Sequence, residues 1–125
     1  MAALTIRIDF DPMGRVGPGK IELLETIART GSISAAGRAM EMSYRRAWGL
    51  VDELSQTFGQ PVVASQSGGK HGGGARLTAF GEELVSCYRA IERVTAAAAQ
   101  PHLDILQAHL KSAPPTPETA PAKAS

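Results

Sequence analysis

Apolar and polar residues alternate at the start of the chain. Leu4, Ile6, Ile8 and Phe10 fall on one side and Thr5, Arg7 and Asp9 on the other, so "LTIRIDF" reads as a half-buried strand. "DPMGRVGPG" breaks that pattern. From Pro18 to Thr30 the spacing becomes helical, with Leu23, Leu24, Ile27 and Ala28 in a stripe and Gly31 placed as a C-terminal stop. Ser32 can cap a second helix in which Ile33, Ala36 and Met40 recur at i, i+3 and i+7. Glu41 and Met42 make a short turn, and Ser43 can cap a third helix that runs to about Phe58. After Gly59 and Pro61, "VVASQ" and "ARL" read as two short strands around the glycine-rich run "SGGKHGGGAR", a hairpin with a long tip. Thr78 can cap a fourth helix with Phe80, Leu84, Cys87, Tyr88, Ile91, Val94 and Ala98 on one stripe and Glu82, Ser86, Arg89 and Arg93 facing away.

Strand, three helices, hairpin, long helix is the order of a winged helix-turn-helix. The expected fold is mainly α with a small β-hairpin or sheet, closed by a long C-terminal dimerisation helix. Residues 1–100 are expected to form this domain and 101–111 a short helical extension opened by Pro101, with Leu103, Leu106 and Leu110 in register. Residues 112–125, "SAPPTPETAPAKAS", are expected to be a disordered tail.

Composition narrows the function classes. A chain of 125 residues, 43% hydrophobic and 20% charged, suits one small domain. No apolar run is long enough for a membrane span, and "MAALTIRIDF" has neither the basic head nor the apolar stretch of a signal peptide, so the expected location is the cytoplasm, on the nucleoid. The lone Cys87 and the dispersed His71, His102 and His109 build no metal cluster, and no cofactor is expected. The glycine run is not a nucleotide-binding P-loop, because Lys70 is followed by His71 rather than by a hydroxyl residue. No acid/base pair or nucleophile with a partner stands at motif spacing, and the chain is not expected to be an enzyme. Between Arg29 and Phe80, six bases stand against three acids, a mild pointer to a polyanionic partner.

On a helical wheel of the third helix, Ala47, Leu50, Val51, Leu54 and Phe58 would pack on the first two helices, while Arg45, Gly49, Asp52 and Gln56 lie opposite, flanked by Arg46 and Trp48. Arginine bonds bidentately to guanine or phosphate, Ser43 and Tyr44 can reach phosphate oxygens, and Gly49 would let a groove come close to the backbone. Ser32, at the start of the second helix, is counted with this face. In the hairpin, glycine amides with Lys70, His71 and Arg76 could lie on phosphates. A plain solvated helix turn and a merely flexible surface hairpin are the bland alternatives.

"SISAAGRAMEMSYRRAWGLVDEL", "FGQPVV" and "RLTAFGEEL" together resemble the winged helix-turn-helix of LysR-type regulators. "SYRRAW" with "GGKHGGGARLT" resembles more specifically the DNA-binding domain of the ModE-type molybdate-dependent regulators, over roughly residues 4 to 95. The resemblance implies double-stranded DNA as partner and a homodimer on palindromic operators of molybdenum-related genes. It carries recognition onto Ser43, Tyr44, Arg45, Arg46 and Trp48 and wing contacts onto Lys70 and Arg76. The dimer interface is expected on Phe80, Leu84, Cys87, Tyr88, Ile91 and Val94, with Cys87 as a buried filler. In that family molybdate binds in C-terminal domains, for which this sequence offers a short helix and a tail, so molybdate binding is not expected. The competing reading is an architectural DNA-binding protein of little specificity, which the small net charge of +1 disfavours.

Overall fold

The computed structural model describes residues 2–66 and 73–111. Helix α1 spans Pro18–Thr30, α2 Ile33–Ala39 and α3 Tyr44–Phe58. Their ends carry the chemistry their sequence announces. Pro18 opens α1, and Gly31 closes it with φ 84°, a left-handed conformation that glycine adopts without a Cβ penalty. Ser32 caps α2 by accepting the Ala35 N–H at 2.9 Å, and Ser43 caps α3 by accepting the Arg46 N–H at 3.0 Å. The turn between α2 and α3 is tight: the Met42 N–H donates to the Gly37 carbonyl at 2.8 Å, and Glu41 sits at φ 58°. A Cβ on Gly37 would lie 3.1 Å from the Met42 carbonyl oxygen, so small residues along α2, together with Ala47 on α3, let the two helices approach closely.

The initial strand is shorter than its alternation predicts. Only Ile8–Phe10 is paired, as β1, and its partner is β2, Gly14–Val16, inside the stretch that reads from sequence as a break. Leu4 and Phe10 are exposed rather than half-buried. The hairpin is held against α3 at Thr57, a buried residue whose hydroxyl donates to the Glu53 carbonyl at 2.8 Å and lies 3.2 Å from the Met13 carbonyl. A side chain at Gly14 would collide with that hydroxyl.

The second hairpin joins β3, Val63–Gln66, to β4, Gly74–Leu77, with Val63 opposite Leu77 and Ala64 opposite Arg76. The Ala75 N–H donates to the Gly31 carbonyl at 2.8 Å, which fixes the wing to the end of α1. The tip, with Lys70 and His71, lies outside the described residues. The core gathers Ile21, Leu23, Leu24 and Ile27 of α1, Ala36 of α2, Ala47, Val51 and Leu54 of α3, and Val16, Val62, Ala75, Leu77 and Tyr88.

Helix α4 runs without interruption over Ala79–Ala108. Thr78 starts it as its spacing predicts, accepting the Gly81 N–H at 3.0 Å while its hydroxyl donates to the Pro61 carbonyl at 2.8 Å. The expected break at Pro101 does not occur: Pro101 lies inside the helix. An interior proline costs about 3 kcal/mol of helix stability. The preceding Ala96–Ala99 run has the highest helix propensity, and Gln100 donates across Pro101 to Asp104 at 2.7 Å. Residues 5–93 form one compact unit. A second contains, of the described residues, 2–4 and 94–111, where the Ala2 N–H meets Gln107 Oε1 at 3.0 Å.

Candidate nucleic-acid interface

The face of α3 turned away from the core follows from its spacing. Ala47, Val51, Leu54 and Thr57 are buried, so Tyr44, Arg45, Trp48 and Gly49 lie on the outward arc. Tyr44 and Trp48, one turn apart, are 56% and 50% exposed. They line a groove of about 500 Å³ whose other walls are Ser32 and Ser34 at the start of α2 and Ser65, Gly73, Gly74 and Ala75 of the wing. The N-terminal end of the helix and the base of the wing therefore share one surface.

Arg46 is not part of that surface. It faces the other flank of α3 and lines a groove of about 710 Å³ with Arg7, Arg15 and Lys20 as well as Asp52 and Glu53. The charges here are partly matched: Lys20 Nζ is 3.1 Å from Glu53 Oε1, and Arg7 Nε is 3.2 Å from Asp9 Oδ1. The "RR" pair is thus split, with Arg45 outward and Arg46 to the side. Consecutive helical residues are about 100° apart, so the two arginines leave the helix in different directions.

Gly49 stands where an added Cβ would meet nothing within 4 Å. Packing within the chain does not call for glycine at this place, so the opening it leaves faces outward. Arg76 is exposed, but strand alternation sends it to the face of β4 opposite Ala75 and Leu77, away from the Tyr44 and Trp48 groove. Ser43 is occupied in capping α3.

Sequence reasoning missed the contribution of Ser34 and Ser65 to the wing-side groove and of Arg7, Arg15 and Lys20 to the other. Ser34 follows the cap in "SIS" and was within reach of a helical wheel. Arg15 lies in the unrecognised strand β2, and the approach of Arg7 and of Lys20 on α1 to the same groove depends on tertiary packing. Among the described residues no group of three or more His, Cys, Asp or Glu could hold a metal ion, and no helix is long and apolar enough to cross a membrane.

The expected dimer-interface residues fall into two sets. Tyr88 belongs to the chain's own core, 1% exposed, with its hydroxyl donating to the Ile6 carbonyl at 2.5 Å. Burial raises the pKa of that phenol. Phe80 and Leu84 are partly buried against the same core. Cys87, expected as a buried filler, is exposed, and Val94 is 64% exposed.

Comparison with known proteins bears on family and fold. The family model described as bacterial regulatory helix-turn-helix protein, lysR family, matches residues 19–82. The chain is 49% identical over 78 residues to the molybdenum-pterin-binding protein MopB of Rhodobacter capsulatus, covering 62% of this chain and 29% of that protein. It is 38% identical over 85 residues to the molybdenum transport protein ModE of Azotobacter vinelandii, covering 68% and 32%. It is also 38% identical over 77 residues to the DNA-binding transcriptional dual regulator ModE of Escherichia coli K12, covering 62% and 29%. The chain thus spans about a third of the length of these relatives. In fold it is similar to the crystal structure of a CbnR_DBD–DNA complex, with a TM-score of 0.54 at 17% identity over 70% of this chain and 95% of that one. Full-length LysG of Corynebacterium glutamicum with bound effector Arg gives 0.53 at 23% identity, over 76% of this chain and 30% of that one.

Proposed function

The chain belongs to the LysR family of bacterial regulatory helix-turn-helix proteins, and from that premise we propose that it is a sequence-specific DNA-binding regulator that engages a palindromic operator of molybdenum-related genes as a homodimer. One observation carries the reading: α3 holds Tyr44, Arg45, Trp48 and Gly49 clear of the core on the side where the wing base joins it. A helix so presented enters the major groove while the wing lies on the flanking backbone or minor groove. Relatives named for molybdenum transport and molybdenum-pterin binding support the choice of target genes. The site of action that goes with this role is the nucleoid, in the cytoplasm.

The dimer is proposed along α4. Its support is the exposed Val94 and Cys87 and a small apolar groove of about 200 Å³ formed by Ile8, Phe10, Phe58, Phe80, Leu84 and Ile91. A two-fold protein matches a two-fold operator.

The test begins with selection of bound sequences from a random duplex pool, followed by titration of the enriched duplex. Arg45→Ala is expected to cost 1 to 3 kcal/mol, roughly ten- to a hundredfold in affinity, for one bidentate base contact. Arg46→Ala, on the side groove, is expected to cost less than Arg45→Ala. Wild-type affinity in the Arg45 variant would remove α3 from the role of reader.

A further inference from the structure

Tyr44 and Trp48 stand outside the hydrophobic core. Both are about half exposed, and neither belongs to the core or to the partly buried residues packed on it. Among the described residues, neither the Tyr44 hydroxyl nor the Trp48 indole N–H has a hydrogen-bond partner. Helix propensity does not favour them either, since alanine, glutamate or lysine would serve an exposed helix position better. Two large rings standing in solvent one turn apart need a reason outside the chain.

Among the described residues the groove they line contains no charged side chain: beside the two aromatics its walls are Ser32, Ile33 and Ser34, Val51 of α3, and Val63, Ser65, Gly73, Gly74 and Ala75 of the wing base. A neutral wall draws little from phosphates, whose attraction is for cations. In the major groove the one apolar group at a base edge is the C5-methyl of thymine. Arg45, beside the two rings on the outward arc, offers the guanidinium that suits guanine O6 and N7.

Resting on the reading of α3 as the major-groove helix, we propose that Tyr44 and Trp48 read thymine, their ring faces enclosing its methyl group, while Arg45 is left for guanine. Specificity at these positions is then apolar, and it depends on the methyl rather than on a hydrogen bond.

The experiment replaces each thymine of the enriched duplex, one at a time, with deoxyuridine, which lacks the methyl and keeps every base-pairing group. Wild-type protein should lose about fourfold in affinity at each thymine whose methyl is enclosed, the size of burying one such group. The Tyr44→Ala/Trp48→Ala variant should bind the thymine duplex more weakly and no longer distinguish it from the uracil duplex. Tyr44→Phe and Trp48→Phe should keep the distinction, because the ring faces remain when the O–H or N–H is removed. Circular dichroism of the alanine variant should match wild type, both positions being exposed. If the enriched duplex is preferred over a shuffled one but no uracil substitution weakens binding, the thymine reading is overturned while the regulator reading stands. Undiminished uracil discrimination in the double alanine variant overturns it equally. Equal affinity for enriched and shuffled duplexes overturns the DNA-reading role and this inference together.

Discussion

Glu41 carries a side chain in the left-handed region, φ 58°, at the turn between α2 and α3. That conformation costs a residue with a Cβ roughly 1 to 2 kcal/mol, and glycine would recover it at an unfolded-state entropy cost of about 0.4 to 1 kcal/mol. Glu41→Gly is therefore expected to stabilise the protein by roughly 0.5 to 1 kcal/mol, seen as a rise of a few degrees in thermal melting. An unchanged or lower midpoint would show that Glu41 makes a compensating interaction in this turn. Gly49 presents the opposite case. It sits inside α3 with open space at its Cβ position, so Gly49→Ala should gain up to about 1 kcal/mol of helix stability. On the proposed interface that methyl would stand between backbone and DNA, so the same variant should melt higher and bind the enriched duplex more weakly. A variant that melts higher and binds as well as wild type would mean that the groove does not approach Gly49.

At the scale of elements, helix ends were legible because caps are local chemistry. Ser32, Ser43, Thr78 and Gly31 each do what their position in the sequence indicates. Elements that depend on distant partners were not legible. The pairing of Gly14–Val16 with Ile8–Phe10 rests on a glycine forced by Thr57, more than forty residues away, and nothing local in "MGRV" signals it. Pro101 carried a local stop signal that the helical run around it overrode. The outward face of α3 was largely readable from spacing, whereas the side taken by Arg46 depended on the unread hairpin. Between α1 and α4, Arg89 grips Glu25 with two hydrogen bonds, Nε to Oε2 at 2.9 Å and Nη2 to Oε1 at 2.6 Å, and Glu92 with a third at 2.7 Å. The Arg89 hydrogen bonds, partly opposed by burial, hold the Glu25 carboxyl below its ordinary value of 4.5. A carboxylate with a lowered folded pKa contributes stability that is fully present above about pH 4.5 and is lost as pH falls through the lower folded value. Both groups are about a third exposed, so the effect is modest. Glu25→Gln is expected to lower the melting temperature at pH 7 and to flatten its decline below pH 4.5, measured by melting at a series of pH values. A parallel decline in both proteins would assign acid sensitivity to other carboxylates.

For the molecule as a whole, the proposed dimer predicts that sedimentation at micromolar concentration gives twice the chain mass, and that Val94→Glu shifts it toward monomer without unfolding, since Val94 is exposed in the single chain. Operator affinity of the 125-residue chain is expected to be the same with and without molybdate, because an effector shifts binding only by favouring one state over another. A molybdate-dependent change would direct attention to the groove lined by Arg7, Arg15, Lys20 and Arg46. The most direct test of the central proposal, a sequence-specific reader built on α3 and the wing, is the ratio of affinities for the enriched duplex and for a shuffled duplex of equal composition, measured across a salt series. A specific reader gives an enriched inverted repeat and a ratio of a thousandfold or more that persists as salt rises and both affinities fall. A ratio near one at every salt concentration, with no inverted repeat enriched, would contradict it and leave a protein that coats DNA without reading it.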